Sequence, residues 1–283
     1  MSPRTRAELF LLSITLIWGS TFATSKYLLA SISPLFYICV RFALATSVLG
    51  LMYVGRVKTI SREVMRKGGI LGILLFLGFA TQTIGLQYTG ASKSAFITGM
   101  MVVFTPICQL LIERKPPKLG NVIGIILVMV GLYFLTSPAG SEFNIGDALN
   151  LVCAVLFALY IVYLDVFSKG SDHVQLTVAQ FVVCTILGLA TASVGENIRF
   201  VPTPGVLGSL LYLTVFATVI AITVQVRFQK DTTPTRSAVI FSIEPVLAAG
   251  FAYILLGEML GPLGVLGGGL IVLGVLVSEL SPG

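Results

Sequence analysis

The sequence predicts an all-α integral membrane protein of ten transmembrane helices, built as two inverted five-helix repeats. Three observations carry this prediction. Ten apolar stretches of about 17–24 residues are each long enough to cross a roughly 30 Å hydrocarbon layer as a helix. Basic residues alternate between the connections. The chain also matches itself at an offset of 143 positions. Backbone polar groups cannot stay unpaired in lipid, so such stretches mean helices rather than a barrel or an open sheet.

The spans run 7–30, 34–54, 68–87, 91–112, 119–135, 145–164, 174–194, 205–226, 237–256 and 263–280. Read in order, their connections alternate in charge. Arg4 and Arg6 precede the first span, and Arg56, Lys58, Arg62, Arg66 and Lys67 follow the second. Arg114, Lys115 and Lys118 follow the fourth and Lys169 the sixth, while Arg227, Lys230 and Arg236 flank the junction after the eighth. One side thus collects 14 basic residues. The other holds only Lys93 and Arg199, with Lys26 and Arg41 inside spans. The positive side is cytoplasmic, which places both termini there and the connection with Glu142 and Asp147 outside. Cell inner (plasma) membrane is the expected location, and anionic lipid at the inner leaflet adds attraction for the basic loops.

Composition excludes much else. With 283 residues, 56% hydrophobic content, 11% charge and a mean hydropathy of +0.98, the spans and short connections consume nearly the whole chain. The net charge of +6 lies in loops between apolar runs, where it sets topology and offers no nucleic-acid site. Cys39, Cys108, Cys153 and Cys184 fall inside spans without CxxC or metal-finger spacing and read as buried free thiols. No metal and no cofactor are expected. The basic start and apolar stretch of residues 1–30 are too long for a signal-peptide core and read as a retained first helix.

At the 143 offset Gln82 aligns with Gln225, Thr89 with Thr232, Lys93 with Arg236, Ser94 with Ser237, Ala95 with Ala238, Gly124 with Gly267 and Gly131 with Gly274. The halves are 1–138 and 139–283. Five spans are an odd number, so the halves enter the membrane from opposite sides, and Lys93 and Arg236 fall on opposite faces. Such a pair of repeats closes a central cavity in two near-equivalent ways, as alternating access requires.

Several short motifs then stand in order along the chain: Trp18-Gly19-Ser20, Pro34 followed by Arg41, Ala91-Ser92-Lys93-Ser94-Ala95-Phe96, and Glu244-Pro245, with Glu113 and Gly257-Glu258 as paired motifs after the fourth and ninth spans. In these the chain resembles the drug/metabolite transporter superfamily over essentially its whole length. Within it the chain is similar to the EamA-type branch and its bacterial exporters of amino acids, aromatic amino acids included. The resemblance implies export of an amino acid or related small metabolite. The second half departs from the pattern, offering Phe157 and Tyr160 where the first has Trp18-Gly19.

Candidate functional residues follow from burial cost and chemistry. Glu244, near the middle of the ninth span, is costly unless it faces a cavity or a partner, and it is the first candidate for solute or proton binding. Bonding to backbone beside Pro245 is the structural alternative. Pro245 removes a donor and frees the Phe241 carbonyl, and Pro106 does the same in the fourth span, so both read as gating hinges. Gln82 and Gln225 offer donors and acceptors to a zwitterion, or an interhelical bond. Trp18, Phe104, Tyr160 and Tyr163 suit an apolar cavity wall or plain packing. Arg41 and Lys26 either snorkel to headgroups or contact a carboxylate at the cavity mouth. The pairs Gly120 and Gly124, and Gly264 and Gly268, permit close helix approach between the halves or, less simply, in a homodimer, and a monomer is the expected unit.

The rival classes lack their parts. His173 is the single histidine, and the chain has no HExxH, GxSxG or GxxxxGK[ST], so neither an embedded enzyme nor a nucleotide-driven pump is expected. A broad multidrug exporter and a channel stay open, because the same cavity residues and bent helices serve them.

Overall fold

The computed structural model describes residues 2–136, 143–256 and 261–280. Helix dominates, and the described residues hold no strand beyond one isolated antiparallel bridge between Ile32 and Phe200. Seven helical segments are long and apolar enough to cross a membrane, and Leu119–Phe134 and Pro262–Ser278 are shorter apolar helices. The remaining expected span, 237–256, is divided between two short helices.

In chain order, α1 (Pro3–Gly19) and α2 (Thr21–Leu29) form one span broken at Ser20, and α3 (Pro34–Met52) leads to the single turn α4 (Val54–Val57). The unbroken α5 (Arg62–Tyr88) follows. Next, α6 (Ala91–Gly99) and α7 (Met101–Glu113) break at Met100, before α8 (Leu119–Thr136), α9 (Ile145–Ser168) and α10 (His173–Gly195). A further span joins α11 (Pro204–Tyr212), a π-helical segment (Leu213–Ile220) and α12 (Ala221–Phe228). Then α13 (Pro234–Phe241) and α14 (Glu244–Leu256) are separated by Ser242 and Ile243, and α15 (Pro262–Leu280) completes the fold.

Helix starts are set by local chemistry. Ser61, Asp172, Thr203 and Thr233 accept backbone N–H bonds from the first turns of α5, α10, α11 and α13, satisfying donors that no earlier carbonyl reaches. Pro34, Pro204 and Pro234 stand in first turns, where the missing N–H costs nothing.

The proline hinges require correction. Pro106 lies inside α7, six residues beyond the actual break at Met100. Pro245 is the second residue of α14, a start position that tolerates proline, rather than the bend itself. The interruptions at Met100 and Ile243 are 143 residues apart, the same offset as the sequence repeat.

Helix packing exposes the relation between the halves. A Cβ on Gly124 would sit 2.6 Å from the Gly274 carbonyl oxygen, and one on Gly131 would sit 2.6 Å from that of Gly267. One index rises as the other falls, so α8 and α15 run antiparallel at backbone contact. The offset converts 124 into 267 and 131 into 274, so the two contacts exchange, as a two-fold relation demands. The close approach therefore uses Gly124 and Gly131 against Gly267 and Gly274. Likewise Gly99 faces Pro245 while Thr235 donates to Gln109 (2.7 Å), so α6–α7 and α13–α14 are antiparallel. Lys93 and Arg236, at the starts of α6 and α13, thus lie at opposite ends of the bundle.

Gly131→Ala is expected to destabilise the protein by about 1–3 kcal/mol, because the obstructing atom is backbone and cannot move aside. Gly69→Ala, where a Cβ meets nothing within 4 Å, is expected to be neutral or slightly stabilising. Thermal unfolding in detergent, followed by reactivity of the four buried cysteines, measures both.

Candidate functional site

Where the helices break, a cavity opens between them. It is narrow, about 60 Å³ in volume, below the roughly 300–1,000 Å³ of a typical small-molecule site. Its walls come mostly as pairs three residues apart, one turn of helix: Trp18 and Thr21, Phe79 and Gln82, Thr98 and Met101, Phe157 and Tyr160, Ile222 and Gln225, Phe241 and Glu244. Arg41, Leu75 and Ile161 complete the lining.

Of the residues singled out from sequence, the cavity brings together Trp18, Arg41, Gln82, Tyr160, Gln225 and Glu244. Phe104 and Tyr163 are not among its lining; both pack against the apolar core, and Tyr163 lies beside Phe167 with ring centroids 5.5 Å apart. Lys26 is also elsewhere. Its ammonium donates to the carbonyls of Leu86 (2.5 Å) and Thr89 (2.8 Å), covering acceptors that the end of α5 leaves open. It is not part of the cavity lining. Gly257 and Glu258 lie outside the described residues.

Arg41 is 3% exposed, so it does not reach the headgroups. Its Nε donates to Thr218 Oγ1 (2.5 Å) and its Nη1 to the Tyr37 hydroxyl (2.9 Å), while the guanidinium carbon stands 4.8 Å from the Phe79 ring centroid. The π-helical segment makes this possible: Thr218 donates to the carbonyl of Leu213, five residues earlier, and presents its oxygen to Arg41. Trp18 Nε1 donates to the Ala217 carbonyl (3.0 Å) in the same segment, and its ring meets Phe241 edge-on at 5.3 Å.

Glu244 is the first residue of α14, beyond the break at Ser242 and Ile243. The unpaired N–H groups of a helix start favour a carboxylate there. Among the described residues its side chain has no hydrogen-bond or ion-pair partner, and no carboxylate pairs with Arg41. One cation and one carboxylate therefore face a single cavity without meeting.

The amides are partly committed. Gln225 Nε2 donates to Gln229 Oε1 (2.9 Å), and Gln229 donates on to the Ile161 carbonyl (2.7 Å). Gln82 makes only a long 3.4 Å bond to Thr98. Tyr160 turns its hydroxyl to Gln180 (2.9 Å) and its ring to the cavity. Sequence reasoning missed Thr21, Phe79, Met101 and Phe241 as wall residues. A signal existed: each is one turn from, or the 143-offset partner of, a residue already singled out.

An all-helical, membrane-spanning bundle around a cavity lined by aromatic and polar side chains fits the class of small-molecule carriers. The profile of the EamA-like transporter family matches residues 5–137 and 144–280, and this chain belongs to that family, within the drug/metabolite transporter superfamily. Among its relatives, an uncharacterized transporter of Archaeoglobus fulgidus is 36% identical over 277 residues, 98% of this chain and 87% of that one. The uncharacterized transporter YyaM of Bacillus subtilis is 24% identical, covering 96% and 92%. A Chlamydia muridarum S-adenosylmethionine/S-adenosylhomocysteine transporter is 26% identical, covering 91% and 86%. A solved crystal structure shares the fold with a TM-score of 0.79 at 17% identity, over 98% of this chain and 97% of that one.

Thr218→Val and Tyr37→Phe each remove one acceptor from Arg41 and are expected to cost about 1–3 kcal/mol, the penalty for a buried donor left without its bond. The double variant is expected to deviate from the sum, since both act on one guanidinium. Thermal unfolding of the four-member cycle checks this.

Proposed function

We propose that this protein is a secondary or facilitative transporter that exports amino acids, aromatic ones included, or related small metabolites by alternating access. The observation that carries the reading is an arginine and a carboxyl group, Arg41 and Glu244, lining one aromatic-walled cavity without an ion-pair partner. A buried charge without a partner is expensive, and a zwitterion supplies the missing partner at both poles at once. Arg41 fits a carboxylate, because its planar fork is held by Thr218, Tyr37 and Phe79 with donors to spare. Glu244 fits an ammonium. Trp18, Phe79, Phe157, Tyr160 and Phe241 supply apolar area for the side chain between them.

In this reading the chain crosses the cell membrane ten times with both termini cytoplasmic, as two inverted repeats covering 1–138 and 139–283, and works as a monomer. The antiparallel seam of α8 with α15 and the matched interruptions at Met100 and Ile243 support that arrangement. The breaks in α6–α7 and α13–α14 act as the hinges, with Pro106 and Pro245 beside them. The Chlamydia relative favours one named refinement: both solutes in its name are α-amino acids carrying an aromatic base.

Purified protein in liposomes, tested with labelled amino acids with and without a pH gradient, examines substrate class and coupling together. Arg41→Gln and Glu244→Gln are each expected to weaken uptake of a zwitterionic amino acid about tenfold or more, the loss of one charged hydrogen bond. Glu244→Gln is also expected to abolish any component driven by the pH gradient. Saturable flux unchanged in both variants rejects the assignment, and ohmic single-channel current rejects a carrier.

A further inference from the structure

Two groups of polar contacts, one toward each end of the bundle, show a correspondence that the cavity does not explain. At one end, Asp147 on α9 accepts from Lys93 Nζ (2.6 Å) and from the hydroxyl of Thr89 (3.0 Å). At the other, Glu8 on α1 accepts from Arg236 Nη1 (3.2 Å) and from the hydroxyl of Thr232 (3.1 Å). The donors are offset partners: Thr89 becomes Thr232 and Lys93 becomes Arg236 on adding 143. The same shift carries position 4 to 147, so Glu8 stands one helical turn along from the counterpart of Asp147, and its side chain is one methylene longer. Two clamps of one design thus close opposite ends, and each ties a helix of one half to a helix of the other.

We propose that Asp147 and Glu8 are the two gate carboxylates of the transport cycle, each locking one face shut and each released when that face opens. This rests on the alternating-access reading above. Burial and bonding suit the role. Asp147 is 0% exposed and Glu8 has 14% of its side chain exposed, so screening by solvent is weak at both. Both clamps engage a threonine beside the cation, which fixes the carboxylate's direction as well as its charge. The clamps differ in one contact, since Glu8 also accepts from Arg4 Nε (2.8 Å) on its own helix, and removing either clamp tips the balance toward opening on its side. Asp147 has a second duty, accepting from the Asn144 N–H (2.9 Å) as part of the α9 cap. Lys93→Gln leaves that cap intact.

The test uses the full-length protein in liposomes, with Thr21→Cys placing a thiol in the cavity and the parent without it giving the background. A membrane-impermeant maleimide is applied to either side, and the ratio of the two labelling rates is read with no solute present. Lys93→Gln is expected to raise labelling from the face bearing Lys93, relative to the other, by about fivefold or more. Glu8→Gln is expected to shift the ratio in the reverse direction by a similar factor, and the double variant to return it toward the parent. A ratio unmoved in either single variant, or moved the same way in both, overturns the proposal. A purely structural role would lower the melting temperature without this opposed sidedness. Because no solute is used, a wrong substrate assignment leaves the result unaffected, whereas failure here leaves the solute assignment standing.

Discussion

Everything in this molecule answers to the cost of an unpaired backbone group in hydrocarbon. A continuous helix avoids that cost, so each interruption needs a local remedy. The interruptions are few and they converge. Ser20 parts Trp18 from Thr21, Met100 parts Thr98 from Met101, and Ser242 with Ile243 part Phe241 from Glu244. The fourth irregularity, Leu213–Ile220, receives the indole of Trp18 on Ala217 and the guanidinium of Arg41 on Thr218. Breaks and cavity are therefore one feature: the bundle gives up helical hydrogen bonds where side chains and a polar space can replace them.

Offset partners show what the two halves share inside that space. Phe79 and Gln82 correspond to Ile222 and Gln225, Thr98 and Met101 to Phe241 and Glu244, and Trp18 to Ile161. The amides are matched. The charges are not, since the counterpart of Glu244 is Met101 and that of Arg41 is Cys184, itself buried. A symmetric frame with an asymmetric lining separates two tasks. In the proposed cycle the frame supplies equivalent closures at the two ends, while the asymmetric lining would favour one orientation of a bound solute.

Much of this is legible in the amino-acid sequence. Span positions follow from apolar length, and the repeat was visible because Gln82, Lys93 and their partners are rare residue types in an apolar chain. Helix interruptions were not. Pro106 and Pro245 drew the bends toward themselves, whereas Met100 and Ile243 carry no backbone signature, and the break there is set by what packs around it. Phe104 and Tyr163 failed as cavity residues for a related reason. An aromatic on a membrane helix has a packed neighbour in most directions, and only the rotation of the helix decides whether the neighbour is Phe167 or an open space. Lys26 adds a contact of another kind: a carbonyl cluster at the end of α5 accepts from its ammonium, and sequence spacing does not register it.

A two-fold frame also constrains how the cavity charges can work. If the rearrangement interchanges the roles of equivalent helices, α13–α14 does in one state what α6–α7 does in the other, and Glu244 and Met101 exchange surroundings. The carboxylate then meets different neighbours on the two sides of the cycle, although its own helix keeps its fold. A methionine tolerates either setting, being apolar and flexible. A carboxylate does not, and its difference in solvation between the states must be offset by a bound cation or a proton. If alternating access holds as proposed, a charge on one half alone couples what the cavity holds to the side on which it opens.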